Sequence, residues 1–424
     1  MTLLILAGAM LGMIVLGVPI ALSMLFTSMG YFYVTGTGLS FATQRLVDGL
    51  NSFPLLAIPL FILAASLLNN GGVTAQIFGF ATRLVGHVRG GLGHVNILAS
   101  VFFAGMSGSA VADTAGLGKM EIDAMRKAGY DDDFSGAVTA ASSMIGPIIP
   151  PSITLVLYGV SANVSVGALF LAGIVPGLLC ALALMVMVYV ISARRGYPKS
   201  NRASIRELAS SFRSAFWALL TPLIIIMGIF GGYFSPTEAA AATVVYAILI
   251  DLLVYRSLSW RKLWDSLYES AALSASIAFI VANVAMLGII FAREQAPQQI
   301  AALFLQFVDS PLSFLLIVNV LIFVLGAVIE SMAILLILVP ILVPAALNYG
   351  IDPVHFGIVV CFNIMISTLT PPMGMALFVV AKVGDIPFQK LAYAILPWLI
   401  PPLVVLALLT VFPPLSLFLP GLLR

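Results

Sequence analysis

Gly146-Pro147-Ile148-Ile149-Pro150-Pro151-Ser152 and Ser367-Thr368-Leu369-Thr370-Pro371-Pro372-Met373-Gly374 decide how this chain folds. Each stretch puts tandem prolines in the middle of a long apolar block. A proline removes a backbone donor and clashes with the carbonyl one turn back, so a helix through either block is interrupted there. At membrane depth the freed carbonyls need protein, water or an ion as partner. A single break reads equally as a kink or as a cation site faced by half-helix ends. Two breaks at equivalent places favour the site.

The equivalence extends beyond the prolines. A shift of 221 residues places Gly129, Asp131, Gly136, Val138, Met144, Ile145, Pro150 and Pro151 on Gly350, Asp352, Gly357, Val359, Met365, Ile366, Pro371 and Pro372 without a gap. That is eight identities over residues 129–151, against roughly two expected by chance in so apolar a chain. Gly105 also falls on Gly326, and Pro176 on Pro397.

Composition fixes the setting. Of 424 residues, 61% are apolar and 8% charged, where soluble domains carry about 25% charged residues. A soluble enzyme, a disordered chain and a nucleic-acid binder are excluded, the last also because a net charge of +2 leaves no basic stripe. Apolar blocks of the length that crosses a roughly 30 Å hydrocarbon core recur along the sequence, so the chain is an all-α polytopic membrane protein embedded in the lipid bilayer. Cys180 and Cys361 lie in apolar runs and read as core residues. His87, His94 and His355 are scattered, which argues against a transition-metal site.

Basic residues cluster at Arg83/Arg89, Arg194 to Arg213 and Arg256 to Lys262, and mark the cytoplasmic side. Three full crossings between Arg89 and Arg194 would put Arg194 outside. The block 92–127 is therefore expected to enter and leave on one side as a re-entrant hairpin. Lys119, Glu121, Asp123, Arg126 and Lys127 support this, because a crossing helix would not carry them through lipid. The block 3–37 is either one tilted helix or two short helices bent near Gly17-Val18-Pro19. The expected organisation is scaffold helices in 1–53; a first repeat in 54–192, with hairpin 92–127 and broken helix 134–159; a basic cytoplasmic linker, 193–214; scaffold helices in 215–266; and a second repeat in 267–424, with hairpin 299–348 and broken helix 354–381. The helices leading into the two units run in opposite directions, which makes them inverted repeats with a site at the midplane.

Candidate hairpin tips precede the breaks. In the first, Gly105-Met106-Ser107-Gly108-Ser109-Ala110-Val111-Ala112-Asp113-Thr114, small residues permit close backbone approach and leave amides for an anion. Asp113 is either a functional ionisable group or a structural carboxylate. The second, Gly326 to Ala333, places Glu330 and Ser331 similarly. Glu238, after Ser235-Pro236-Thr237, reads as helix-start chemistry, Asp251 as an interfacial ion pair, and Trp217, Trp260, Trp264 and Trp398 as interface anchors. There is no nucleophile–base constellation and no Walker-type loop, so neither an enzyme nor an ATP-driven pump is indicated.

The run Ser107-Gly108-Ser109-Ala110-Val111-Ala112-Asp113-Thr114-Ala115, with Ile145-Gly146-Pro147-Ile148-Ile149-Pro150-Pro151-Ser152, resembles the large membrane subunit of tripartite ATP-independent periplasmic (TRAP) transporters. Gly167 to Ile174, Leu338 to Leu342 and Pro353 to Gly357 extend the resemblance, which covers essentially the whole chain. It implies Na⁺-coupled uptake of an organic acid across a bacterial inner membrane by elevator-type movement. A periplasmic binding protein would deliver the carboxylate substrate, and a small four-helix membrane subunit would buttress the chain. Carried over by motif position, one Na⁺ site would use Ser107, Gly146, Ile149 and Pro150. The other would use Gly326, Thr368, Thr370 or Pro371, and Met373. Substrate would sit near Ser107, Gly108, Ser109 and Ser331, with Asp113 and Glu330 at the tips. Two positions depart from the family pattern: Glu121-Ile122-Asp123-Ala124-Met125 replaces an Ile-Pro-Ala-Met stretch, and Glu330 stands where Asp is common. The alternatives are a binding-protein-independent Na⁺/dicarboxylate carrier with the same repeat and a passive channel.

Overall fold

The structure, a computed structural model, describes residues 2–70, 72–372 and 374–422, and these form helices and connections with no strand among them. The N-terminal block is two helices, α1 (Thr2–Val15) and α2 (Ile20–Val34). Gly17 turns the chain between them at a φ of +84°, which is open to glycine, and Pro19 caps α2. The short α3 (Leu39–Asp48) leads into α4 (Ala57–Asn70), and α5 (Val73–Val85) follows.

The first unit begins with α6 (Gly91–Ser107). The chain turns at Gly108 and returns as α7 (Ala110–Asp113), a π-helical stretch (Thr114–Gly118) and α8 (Lys119–Lys127). The broken helix is α9 (Asp132–Ser143) and α10 (Ile153–Ala162), a little longer at both ends than 134–159. Then come α11 (Val166–Arg195), α12 (Ile205–Phe230), α13 (Pro236–Leu253) and α14 (Trp260–Arg293), each long and apolar enough to cross a membrane. Ser235 and Glu238 form a reciprocal capping box at the start of α13.

In the second unit the expected hairpin 299–348 is shorter. A separate helix, α15 (Ala296–Phe307), precedes it, and the hairpin proper is α16 (Pro311–Gly326) and α17 (Ser331–Asn348). The reason is local: the Ser310 hydroxyl caps α16 and Pro311 occupies its first turn, a start signal inside an otherwise apolar block. The second broken helix is α18 (Pro353–Ser367) and α19 (Met375–Gly384). The chain closes with α20 (Phe388–Ala394), a 3-10 turn, α21 (Ile400–Val411) and α22 (Pro414–Gly421). The turn at Leu396–Leu399 bends the last apolar block by 46° and carries Trp398 inward, so Trp398 is 2% exposed and packs edge-on against Phe134 instead of anchoring the interface. Asp251 also departs from its reading. It is buried and accepts a hydrogen bond from Ser257 at 3.3 Å rather than pairing with Arg256.

The two units interlock. α10 packs on α17 and α18, while α19 packs on α9 and the π-helical stretch. One glycine pair matched in the sequence, Gly136 and Gly357, supplies contact points. A Cβ on Gly357 would lie 2.3 Å from the Tyr158 ring of α10, and one on Gly136 would lie 2.8 Å from Ile386. Tyr158 also donates to the Pro353 carbonyl at 2.7 Å. Each hairpin is tied to its own broken helix by buried polar contacts. Asn96 of α6 donates to Thr139 and accepts from Ser142, both at 2.7 Å. Asn363 of α18 donates to the backbone and side chain of Asn319 on α16, at 2.8 and 3.1 Å. Ser142 and Asn363 are themselves related by the 221-residue shift.

At the end of α11, Arg195 bridges Asp131 and Asp133 at 3.1 Å each, and Tyr197 donates to Asp131 at 2.6 Å. Burial and the neighbouring Asp131 carboxylate push the Tyr197 hydroxyl up to about 12, so it stays a donor at any physiological pH.

Candidate functional site

The first tip is shaped by Gly108, whose φ of +61° ends α6 in the left-handed conformation. Its missing side chain matters, because a Cβ there would stand 2.4 Å from the Pro151 carbonyl oxygen. The amide of Ile153 donates back to the Gly108 carbonyl at 3.5 Å. On the other side of the tip, a Cβ on Gly146 would lie 3.3 Å from the Ser109 carbonyl oxygen. Ser109 caps the return arm by accepting from the Ala112 amide at 3.4 Å. The tip and the first break are therefore in direct backbone contact.

Within that break, Met144–Ser152, three prolines have no amide to donate. The Ser152 hydroxyl donates to the Pro147 carbonyl and accepts from the Leu155 amide at 3.1 Å, capping α10. Ile149 is buried beside the Pro150–Pro151 peptide, which is cis, as is Pro371–Pro372 in the second break. The second hairpin meets the edge of its break through a side chain: a Cβ on Gly326 would be 2.1 Å from the Ser367 hydroxyl. Around that break, hydroxyls donate back one turn, Ser367 to Ile364 at 2.6 Å, Thr368 to Met365 at 2.6 Å and Thr370 to Ile366 at 3.1 Å. A donating hydroxyl keeps its lone pairs for a cation. Met373 lies outside the described residues.

Both tips and both breaks converge on one cavity of about 60 Å³, whose lining includes Gly108, Ser109, Pro147, Glu330, Ser331 and Thr368. Sequence reasoning missed Thr154, Met365, Met375 and Ala376, which also line it. Thr154 lies in the first turn of α10 and carried a usable signal, a hydroxyl at the start of a half-helix. Met375 sits in an apolar run and carried none, and Met365 carried only its repeat match to Met144. Gly146, Ile149, Pro150, Gly326, Thr370 and Pro371 are not among the lining residues. Ser107 is buried at the end of α6, with its hydroxyl oxygen unpartnered. Asp113 lies inside the hairpin facing Ser100 of α6, 2% exposed. Glu330 is the N-cap of α17, its carboxylate accepting from the Ala333 amide at 2.9 Å.

This arrangement offers neutral hydroxyls, half-helix ends and backbone carbonyls, the means to hold a carboxylate and a small hard cation. Among the described residues it shows no nucleophile paired with a base, and these residues hold no group of three or more His, Cys, Asp or Glu side chains fit for a metal.

The family model for the tripartite ATP-independent periplasmic transporter, DctM component, matches residues 7–415. The chain is 52% identical over 413 residues to the sialic acid TRAP transporter large permease protein SiaM of Vibrio cholerae, covering 97% of each. It is 48% identical over 409 residues to the sialic acid TRAP transporter permease protein SiaT of Haemophilus influenzae, covering 96% of this chain and 66% of that one. It is 41% identical over 377 residues to the C4-dicarboxylate TRAP transporter large permease protein DctM of Pseudomonas aeruginosa, covering 89% and 88%. Among solved structures, the YdaH transporter of Alcanivorax borkumensis shares the fold, with a TM-score of 0.64 over 89% of each chain at 14% identity.

Proposed function

This chain belongs to the DctM component family of tripartite ATP-independent periplasmic transporters, and from that membership we propose that it is the Na⁺-coupled permease subunit of an organic-acid importer in the bacterial inner membrane. A periplasmic binding protein hands over the substrate, and a small membrane subunit stands beside the long scaffold helices α12–α14. The first substrate candidate is a sialic acid, because two relatives of about half-identical sequence bear that name; a C4-dicarboxylate comes second.

The observation that carries this reading is the convergence of two hairpin tips and two helix breaks on one cavity. Na⁺ would be held in one half by Ser107 and the carbonyls of Gly146, Ile149 and Pro150. In the other half, Gly326, Thr368, Thr370, Pro371 and Met373 would hold it. Ser109, Ser331 and Thr154 would meet the substrate carboxylate. Glu330 caps α17 from the cavity wall and, when ionised, repels an anion, so its place is on the cation side. Ligand pockets typically measure about 300–1,000 Å³, so a cavity near 60 Å³ must widen before a sugar acid enters. Widening requires the tips to part from the breaks. The Asn96–Ser142 and Asn363–Asn319 ties favour movement of each hairpin together with its helix, as an elevator demands.

The test is reconstitution of the chain with its small subunit and binding protein in liposomes. Uptake should require an inward Na⁺ gradient and the binding protein. Uptake indifferent to both would contradict the proposal, and unitary ionic currents would favour a channel.

A further inference from the structure

Beyond the tip-and-break cavity, the first hairpin holds two carboxyl groups that nothing else in the fold accounts for. Asp113 is 2% exposed with both oxygens unpartnered, and Glu121 is 1% exposed with Oε1 unpartnered. Asp113 faces Ser100, but neither oxygen reaches it with hydrogen-bond geometry. Eight residues apart, the pair would stand about 80° apart round an ideal α-helix. The π-helical stretch Thr114–Gly118 between them winds more residues into each turn and draws the two toward one face.

No counter-charge reaches either group, since none of the ion pairs among the described residues includes them. On their own arm, Lys119 and Lys127 are exposed and Arg126 is paired with Asp132 at 2.6 Å. α6 brings Ser100 and, six residues earlier, His94. α9 brings Asp132 and Asp133, held by Arg126 and Arg195. α19 brings Lys382, which is exposed, and α4 brings the neutral Asn69. Two buried carboxylates without a partner are too costly to remain ionised together. The backbone here is also tightly packed. A Cβ on Gly116 would lie 2.4 Å from Asn69, and one on Gly118 would lie 3.2 Å from Thr139. A proton needs no cavity, whereas a metal ion does.

We propose that Asp113 and Glu121 form a proton-binding pair inside the first hairpin, separate from the Na⁺ ligands, which must be protonated for the hairpin to move. Binding converts carboxylate to carboxylic acid with a proton from bulk water and changes no other bond.

Two measurements test it. Infrared spectroscopy of the purified protein in lipid should show a protonated carboxyl band, shifted in D₂O, that diminishes in Asp113→Asn and in Glu121→Gln. This readout is independent of Na⁺ coupling and of substrate identity. In proteoliposomes under a fixed Na⁺ gradient, uptake should fall as pH rises, and Glu121→Gln, permanently neutral at that position, should lose this alkaline limb while keeping the wild-type Na⁺ dependence. Absence of the band in the wild type overturns the proposal, as does an unchanged pH profile in Glu121→Gln. If Glu121→Gln fails to fold, the wild-type band and its alkaline limb still decide the matter.

Discussion

Gly108→Ala places the heaviest demand on this account, because it adds one methyl group where a tip meets a break. Two costs are set by the geometry. At a φ of +61° an L-residue with a Cβ loses about 1–2 kcal/mol relative to glycine. The new carbon would also stand 2.4 Å from the Pro151 oxygen, and overpacking of this kind costs roughly 1–3 kcal/mol. The neighbour is backbone, so relief requires the tip and the break to separate. Together the costs come to about 2–5 kcal/mol, and the lower figure alone corresponds to about a 30-fold loss in Na⁺ affinity if it falls on the bound state. The assay is the Na⁺ dependence of uptake in proteoliposomes, with thermal unfolding of the same sample. Gly129→Ala is the control. It has the same left-handed backbone, at φ +85°, but nothing within 4 Å of a Cβ. It should lower thermal stability by its backbone cost and leave the Na⁺ curve in place. Wild-type Na⁺ dependence in Gly108→Ala, or an equal shift in Gly129→Ala, would refute the reasoning.

Other substitutions probe the same frame. Gly357→Ala drives a methyl into the Tyr158 ring and should cost about 1–3 kcal/mol in thermal or denaturant unfolding, whereas Tyr158→Phe, which loses only the bond to Pro353, should cost about 1 kcal/mol. Asn363→Ala leaves the Asn319 side chain short of a buried partner and should slow uptake and destabilise by about 1–3 kcal/mol. Glu330→Gln removes the charge on the cation side of the cavity and weakens the cap of α17, so the Na⁺ concentration for half-maximal uptake should rise, with a stability loss of about 0.5–2 kcal/mol read by melting. Arg195→Gln releases a half-exposed pair with Asp131 and Asp133 and should cost no more than about 1 kcal/mol, a loss that shrinks further in high salt.

Much of this was legible in the sequence because backbone constraints leave marks. Pro150-Pro151 and Pro371-Pro372 announce breaks whatever surrounds them, and Gly136 and Gly357 recur because a neighbour's side chain occupies the space of a Cβ. The tip residues Gly108, Ser109 and Ser331 were legible for the same reason, as small residues at close approaches. What escaped depends on tertiary direction. Glu121 belongs to a charge cluster and reads as one more solvated residue, yet the π-helical stretch before it turns it inward. Trp398 sits at the end of an apolar run, where tryptophan usually marks the interface, and a 3-10 turn carries it into the core. Ser310-Pro311 is a usable helix start that hydropathy alone smooths over, and it is why the second hairpin is shorter than its apolar block. Met375 reads like any lipid or core residue, and Met365 reads only as a repeat match to Met144, because only the packing of the two broken helices makes them a wall.

The central claim, that the paired breaks hold the coupling ion, is tested most directly by the Na⁺ concentration for half-maximal uptake in two double variants, Pro150→Ala/Pro151→Ala and Pro371→Ala/Pro372→Ala. Alanine restores the missing amides and lets the helix ladder recapture carbonyls that would otherwise face the ion. The account predicts that each variant raises the half-maximal concentration. Two well-folded variants with wild-type Na⁺ dependence would contradict it and reduce both breaks to kinks.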